Sequence, residues 1–226
     1  MKIGILQAGH APDTMRPQTG DYADLFVRLL RDRGFTFQTY DVVDMDFPED
    51  VHACRGWLLT GSKHGAYEDL PFIAPLETFV RDAYAARMPM VGVCFGHQII
   101  AQALGGEVRK FEGGWAVGRQ TYDWDGRTLA LNAWHQDQVT RAPEGARVLA
   151  SNDFCKNAAL VYDDIALTLQ AHPEFENDFT LRLGHERGEG VVPEPLLTAA
   201  RATSDEPIDN HFVAEQIADF YHRAVA

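Results

Sequence analysis

The stretch Met88-Pro89-Met90-Val91-Gly92-Val93-Cys94-Phe95-Gly96-His97 joins a short apolar run to a segment of helical character. The run over residues 88–93 predicts a buried strand, and residues 97–104 predict a helix that ends at Gly105-Gly106. Between them lies a glycine, any residue, cysteine, any residue, glycine pattern, which is typical of a sharp strand-to-helix turn that carries a nucleophile. Glycines suit such a turn because Cβ atoms would clash with its strained backbone. The stretch indicates an α/β fold.

Strands and amphipathic helices alternate upstream of this turn. We predict strands at residues 2–7, 35–43 and 57–60, and helices at residues 21–33 and about 73–87. This alternation predicts a parallel sheet covered by helices on both faces. Residues 108–169 contain shorter strand-like runs with Gly, Asn and Asp turns, which predict an antiparallel extension. We expect one domain over residues 1–226, with C-terminal helices from about 175 to 226 packed on it, the clearest of them at Asn210–Ala224.

The composition limits the partners and the compartment. The chain of 226 residues has 20 basic and 33 acidic side chains, a formal net charge of −13. This balance argues against a nucleic-acid or anionic-membrane surface, because both need clustered Lys and Arg. No apolar run approaches the roughly 20 residues that span a bilayer, and no signal peptide is convincing. Three distant cysteines fit reduced thiols better than disulfides. We expect a cytoplasmic protein without a cofactor.

Cys94 is the candidate nucleophile. At the start of the predicted helix its thiol meets the positive end of the helix dipole, which favours thiolate. The backbone N–H of Phe95 is then placed to face a developing oxyanion. The alternative is a buried core cysteine, the commonest fate of such a residue. Cys54 and Cys155 have no comparable setting and are expected to be structural.

A second motif offers the base that a cysteine nucleophile needs. An apolar strand at residues 165–169 leads into Gln170-Ala171-His172-Pro173-Glu174. In this turn His172 can reach Cys94 while Glu174 holds the other imidazole nitrogen. The alternative is a surface turn with an incidental histidine and glutamate. The order of cysteine, histidine and then an acid two residues later favours a catalytic triad.

The two motifs resemble the signatures of class I glutamine amidotransferases. Gly92-Val93-Cys94-Phe95-Gly96-His97-Gln98 resembles the nucleophile signature of the family, and residues 170–174 resemble the second signature. The 78 positions from Cys94 to His172 are typical of compact single-domain members. The resemblance implies a flavodoxin-like three-layer sandwich with a mostly parallel central sheet and a small antiparallel extension. It also implies hydrolysis of glutamine or another γ-glutamyl amide through a glutamyl thioester.

The resemblance assigns further residues to the site. Leu59-Thr60-Gly61-Ser62 lies where the family keeps an oxyanion loop. The backbone of Gly61 and Ser62 would therefore complete the oxyanion hole with Phe95, and Gln98 would lie against the glutamine-like group. The common Gly-Gly-Pro of the synthase loop is replaced here by Gly-Ser-Lys, so a preformed hole is not assured.

Two further segments resemble one branch of the family. Gly61-Ser62-Lys63-His64-Gly65-Ala66-Tyr67-Glu68-Asp69 and Trp134-His135-Gln136-Asp137 resemble stand-alone GMP synthase-like amidotransferases, a branch that includes plant γ-glutamyl peptidases. His135 and Asp137 either shape the glutamyl pocket or form a turn held by its own hydrogen bonds. The chain leaves no room for an ATP-pyrophosphatase domain, so we do not expect it to make guanylate alone.

Other chemistries fit the sequence less well. Cys94 and His97 have a Cys-x-x-His spacing, but no second ligand pair follows, so no metal site is expected. Gly113-Gly114-Trp115 has neither the P-loop nor the dinucleotide-binding pattern, and contact with one end of the substrate is the alternative. A related superfamily of cysteine hydrolases and deglycases places histidine directly after the cysteine, where this chain has Phe95.

Three functions remain open from the sequence. The first is a free-standing hydrolase of small γ-glutamyl compounds. The second is a glutaminase subunit that supplies ammonia to a separate synthetase partner. The third is a catalytically degenerate binding or regulatory module, which the intact triad disfavours. The first two share every predicted catalytic residue.

Overall fold

The computed structural model describes residues 1–224; residues 225 and 226, the end of the predicted C-terminal segment, lie outside the described residues. The strands are β1 (Lys2–Leu6), β2 (Thr36–Tyr40), β3 (Gly56–Leu59), β4 (Met90–Val93), β5 (Glu107–Lys110), β6 (Ala116–Trp124), β7 (Arg127–His135), β8 (Asp137–Arg141), β9 (Arg147–Ser151), β10 (Ala159–Tyr162) and β11 (Ala166–Leu169). The helices are α1 (Arg16–Thr19), α2 (Tyr22–Leu29), α3 (Ile73–Ala85), α4 (Phe95–Ala103), α5 (Asn177–Leu183), α6 (Glu194–Ala202) and α7 (Asn210–Ala224), with a 3₁₀ turn at Val42–Asp44 and a π-helical turn at Gly184–Gly188.

Nine strands form one mixed sheet in the order β2-β1-β3-β4-β11-β10-β9-β6-β7. The first five strands in this order run parallel to one another, and the pairs from β11 to β7 are antiparallel. A separate antiparallel ribbon joins β5 to β8. The predicted α/β class and the antiparallel extension are therefore confirmed.

Helices cover both faces of the parallel half. Leu58 and Val91 pack in the apolar cluster that also holds Phe26 of α2 and Ile217 of α7. Leu59, the neighbour of Leu58 in β3, belongs to the other cluster, together with side chains of α3 and α4. Successive side chains of a strand point to opposite faces, so one apolar run serves both layers. The result is the three-layer arrangement that the alternating pattern predicts.

The predicted helix at residues 21–33 is wrong at its C-terminal end. Asp21 begins the helix as expected, since it caps α2 in a capping box with Asp24. The helix ends at Leu29, and the chain then reverses through Asp32 (φ 62°) and Gly34 (φ 78°). Positive φ values cannot continue a right-handed helix, and they send the chain into β2.

None of the helices in the described part of the chain is long and apolar enough to cross a membrane. The cytoplasmic location stays a prediction.

A buried hydroxyl fixes α7 against the centre of the sheet. Tyr221 donates a hydrogen bond of 2.7 Å from its hydroxyl to the carbonyl oxygen of Trp57 in β3. We expect Tyr221→Phe to lower the free energy of unfolding by about 1 kcal/mol, because the mutation removes one buried hydrogen bond. Tyr122→Phe is the matched control, since the buried Tyr122 hydroxyl has no hydrogen-bond partner among residues 1–224. Urea denaturation measures both, and an equal loss in the two variants would contradict the assignment.

Candidate active site

The site lies where three adjacent parallel strands end. β3, β4 and β11 are neighbours in the sheet, and the chain leaves them at Thr60, Cys94 and Gln170. The N–H of Cys94 donates to the Leu169 carbonyl at 2.8 Å, and the N–H of Gly96 donates to the Thr60 carbonyl at 3.1 Å. The carboxyl ends of parallel strands share one edge, which is where open α/β sheets bind their ligands. Segments distant in sequence meet there.

Cys94 sits in a strained turn between β4 and α4. Its backbone has φ 54° and ψ −104°, a conformation that costs free energy for a residue with a Cβ. A Cβ at Gly92 would lie 2.5 Å from the Gly96 carbonyl oxygen, and one at Gly96 would lie 2.3 Å from the Leu59 carbonyl oxygen. Both positions therefore require glycine. The turn has the geometry that the glycine spacing predicts for a nucleophile.

His172 and Glu174 form a buried pair beside this turn. His172 donates from Nδ1 to Glu174 Oε1 at 2.7 Å, and its ring stacks on Phe175 with centroids 3.9 Å apart. The N–H of His172 donates to the Asn132 carbonyl in β7, and the Asn132 side chain donates to the Phe175 carbonyl. Two contacts thus fix the imidazole ring, and two more hold the backbone around it. The Nε2 atom of His172 has no hydrogen-bond partner among the described residues, so it can exchange a proton with a ligand.

Gly61 lies next to both Cys94 and His172 of the predicted triad. A Cβ at this position would lie 3.0 Å from His172 Cε1 and 3.7 Å from Cys94 Cβ. Burial lowers the pKa of His172, but the Glu174 carboxylate and the nearby Cys94 outweigh it and raise the pKa to about 10. The raised pKa favours the protonated form of the imidazole. A thiol beside a protonated, oriented imidazole is suited to nucleophilic attack followed by protonation of a leaving group.

The Thr60 side chain holds the predicted oxyanion loop, Gly61 and Ser62, in place. The Thr60 hydroxyl accepts from the Ala8 N–H at 3.0 Å and donates to the Gly61 carbonyl at 3.0 Å. The N–H and C=O of a trans peptide point in opposite directions, so the Ser62 N–H points away from Thr60. Phe95 is the first residue of α4, and its N–H has no intrahelical acceptor. Their role as oxyanion donors stays a prediction.

The predicted substrate-binding residues also line the cleft. Gln98 donates from Nε2 to the Asp137 carbonyl at 2.9 Å and to Gln170 Oε1 at 3.1 Å. His135 donates from Nδ1 to the Asp137 carbonyl at 3.2 Å, so this turn is held in part by its own hydrogen bond. Burial raises the pKa of Asp137, whose carboxylate accepts from Tyr67. Contact of Gln98, His135 and Asp137 with a substrate stays a prediction.

The cleft itself has a volume of about 330 Å³, at the lower end of pockets that enclose small-molecule ligands. Sequence reasoning gave no part in the site to six of the residues that line it, which are Tyr22, Lys110, Phe175, Leu183, Arg187 and Val191. Phe175 directly follows the histidine motif, and an aromatic residue at that position was a usable signal. The other five carry no local pattern, because only the packing of their helices and strands brings them to the cleft. Trp115, from the glycine-rich turn, lines it as well.

The other histidine and cysteine side chains discussed from the sequence are not suited to metal binding or nucleophilic attack. Among residues 1–224, no group of three or more His, Cys, Asp or Glu side chains is arranged to hold a metal ion. His97 is bonded through Nδ1 to the Thr168 hydroxyl at 2.8 Å, and burial lowers its pKa to about 3. All three cysteines are free thiols. Burial raises the pKa of Cys54, and it raises that of Cys155 to about 12, which makes both unsuited to nucleophilic work.

The buried carboxylate should control the proton on His172. We expect Glu174→Gln to lower the pKa of His172 from about 10 by at least about one unit, because a neutral amide no longer favours the charged ring. A raised pKa means protonation persists to higher pH, so the variant should lose this proton earlier as pH rises. Glu176→Gln, an exposed glutamate two residues away, is the control. NMR titration of the His172 ring measures both, and an unchanged pKa in Glu174→Gln would contradict the pairing.

The chain is similar to known proteins of one family. The family model described as glutamine amidotransferase class-I matches residues 21–179. Gamma-glutamyl peptidase 4 of Arabidopsis thaliana is 32% identical over 70% of this chain and 70% of its own length. The GMP synthase (glutamine-hydrolysing) subunit of Sulfolobus acidocaldarius is 40% identical over 78% of this chain and 91% of its own length.

A solved structure shares the whole fold. The crystal structure of a glutamine amidotransferase from Methylobacillus flagellatus superposes with a TM-score of 0.76 at 24% identity, over 100% of this chain and 93% of its own. The predicted flavodoxin-like class is thereby confirmed, and so is the resemblance stated from the two motifs. On the family match and these relatives, the chain belongs to the class I glutamine amidotransferase family.

Proposed function

We propose that this protein is a cysteine-dependent hydrolase of a γ-glutamyl compound, either glutamine or a γ-glutamyl amide. The observation that carries the proposal is that Cys94, on its strained turn, and His172, which is paired with the buried Glu174, line one small cleft. Membership of the family supports the reaction class, and the relatives named as peptidases support hydrolysis.

The first half of the reaction uses the Cys94 thiolate as nucleophile. Cys94 Sγ attacks the side-chain carbonyl carbon, and the negative charge that develops on oxygen is held by the N–H groups of Phe95 and Ser62. Protonated His172 gives its proton to the leaving nitrogen as the carbon–nitrogen bond breaks. A glutamyl thioester on Cys94 and a free amine result.

The second half consumes one water. His172, now neutral, takes a proton from water, whose oxygen attacks the thioester carbonyl. Collapse of the second oxyanion breaks the carbon–sulfur bond, which releases glutamate and regenerates the Cys94 thiolate beside protonated His172. Glu174 keeps the imidazole in the tautomer and orientation that both halves need, and the stacked ring of Phe175 limits its rotation.

A second candidate shares this chemistry. The similarity to one subunit of a GMP synthase favours a glutaminase that passes ammonia to a separate synthetase. Such a protein would show little turnover by itself, because its acceptor site lies on the partner. The third candidate, a degenerate binding module, has no observation in its favour at the intact Cys94, His172 and Glu174.

Release of glutamate by the purified chain tests the proposal. We expect turnover of at least one substrate among glutamine and a panel of γ-glutamyl amides and peptides. Cys94→Ala should reduce it by at least about 10³-fold, because no other group can form the thioester. The thermal midpoint of the variant serves as the control for folding.

The outcomes separate the candidates. Turnover that persists in Cys94→Ala would sink the proposed mechanism. A folded wild-type chain that alkylates at Cys94, yet releases glutamate only when a synthetase is added, would favour the ammonia-supplying glutaminase. A chain inactive under both conditions would favour the binding module.

The close approach at Gly61 provides a separate test. Gly61→Ala would set a Cβ 3.0 Å from His172 Cε1, so we expect the imidazole to shift and glutamate release to fall roughly 10- to 100-fold. Gly184→Ala is the matched control, because its nearest contact would be an ordinary 3.7 Å to Leu197. If Gly61→Ala kept full activity, the tight packing of this loop would have no catalytic meaning.

A further inference from the structure

Arg187 brings an unneutralised positive charge to the cleft. It lies on the π-helical turn, is half-buried and lines the same cleft as Cys94. Its guanidinium donates to the His10 carbonyl at 3.0 Å and to the Tyr22 hydroxyl at 3.3 Å. Within residues 1–224 no carboxylate lies within 4.0 Å of it. Both partners are neutral, so its charge is available to a ligand.

Such a guanidinium is suited to an anion. Arginine has five N–H donors in a planar fork that matches a carboxylate, and two hydrogen bonds to neutral groups leave part of that fork free. A charge held partly out of water without a counter-ion costs free energy that a bound anion would offset. The other cations of the cleft, Lys63 and Lys110, are exposed and carry no comparable constraint.

The π-helical turn holds Arg187 in one place. A Cβ at Gly188 would lie 2.9 Å from Leu197 Cδ2 and 3.1 Å from the Trp134 ring, so the backbone packs closely on one side. On the other side Glu186 accepts a hydrogen bond of 2.7 Å from the Thr14 hydroxyl. Single π-helical turns occur often at functional sites, because the extra residue redirects neighbouring side chains.

Contacts connect Arg187 to the leaving-group side of the site. Tyr22, which accepts from Arg187, packs its ring 6.1 Å from that of Phe175, and Phe175 stacks on His172. His172 delivers the proton to the leaving nitrogen, so the leaving group must lie next to its ring. The acidic groups of the cleft lie instead with the residues predicted to bind the glutamyl group. There the Asp137 backbone carbonyl accepts a hydrogen bond from the Gln98 side chain.

We propose that Arg187 binds a carboxylate on the leaving amine, and that the preferred substrate is a γ-glutamyl amino acid or peptide. Glutamine, whose leaving group is ammonia, offers no such carboxylate. The inference rests on the proposed hydrolase function and names its substrate class. The reaction balances with one water, since the γ-amide bond breaks and glutamate and the free amino acid or peptide form.

A matched pair of substrates tests the inference. γ-Glutamylglycine and γ-glutamylglycinamide differ in the leaving group only by the carboxylate. We expect Arg187→Gln to lower kcat/KM for γ-glutamylglycine roughly 10- to 100-fold and for the amide by less than about 3-fold, because only the first substrate offers an ionised carboxylate that pairs with the guanidinium through two hydrogen bonds. Arg182→Gln on α5, whose exposed side chain bonds Gln18 outside the cleft, is the control and should change neither.

Three outcomes would overturn the inference. They are an equal loss on both substrates, no loss on either, and a wild-type enzyme that prefers the amide. Arg187→Lys keeps the charge and should retain part of the preference. Equal thermal midpoints of the variants and the wild type would show that the effect is not unfolding.

Binding separates this inference from the proposed function. In the Cys94→Ala background, calorimetry should show that γ-glutamylglycine binds at least about 10-fold more tightly than the amide, and that Arg187→Gln removes the difference. Discrimination that depends on Arg187, without turnover by the wild type, would overturn the hydrolase proposal and keep the carboxylate site. Turnover by the wild type, without a difference in binding between γ-glutamylglycine and the amide, would keep the hydrolase proposal and overturn the carboxylate site.

Discussion

Two backbone hydrogen bonds hold the turn on which the rest of the site depends. The N–H of Cys94 is bound to the end of β11, and the N–H of Gly96 is bound to the residue after β3. The turn is strained, and it persists because strands on both sides constrain it. Glycine is required at both flanking positions, since any side chain there would collide with backbone carbonyls. A local conformation is thus maintained by the order of strands in the sheet.

The antiparallel half of the sheet supports the site directly. Asn132 in β7 accepts the His172 N–H through its carbonyl and holds the Phe175 carbonyl through its side chain. The histidine loop is therefore fixed between β11, which carries it, and β7, which lies four places away in the sheet order. Because β7 is bound to this loop, the extension helps to set the geometry of the candidate site.

The proposed catalytic residues and the remaining walls of the cleft come from different parts of the molecule. The cysteine turn and the His172–Glu174 pair come from the ends of adjacent parallel strands, where their spacing is set by the sheet. The remaining walls come from α2, the loop after β3 and the π-helical turn. A free-standing hydrolase and a glutaminase that serves a synthetase can share the first set completely. The second set places the Arg187 guanidinium and the acidic side chains Glu68 and Asp137 in the same cleft.

The sequence by itself determined the parts that short-range rules control. Apolar runs of strand length, helical spacing and the two glycines around Cys94 predicted the α/β class and the nucleophile turn, because those patterns act over a few residues. Tertiary structure alone decided which residues outside the motifs reach the site. Asn132 and Arg187 do so through the strand order and the π-helical turn, which bring together segments far apart in the chain. Such contacts depend on how whole elements pack, and no local pattern encodes them.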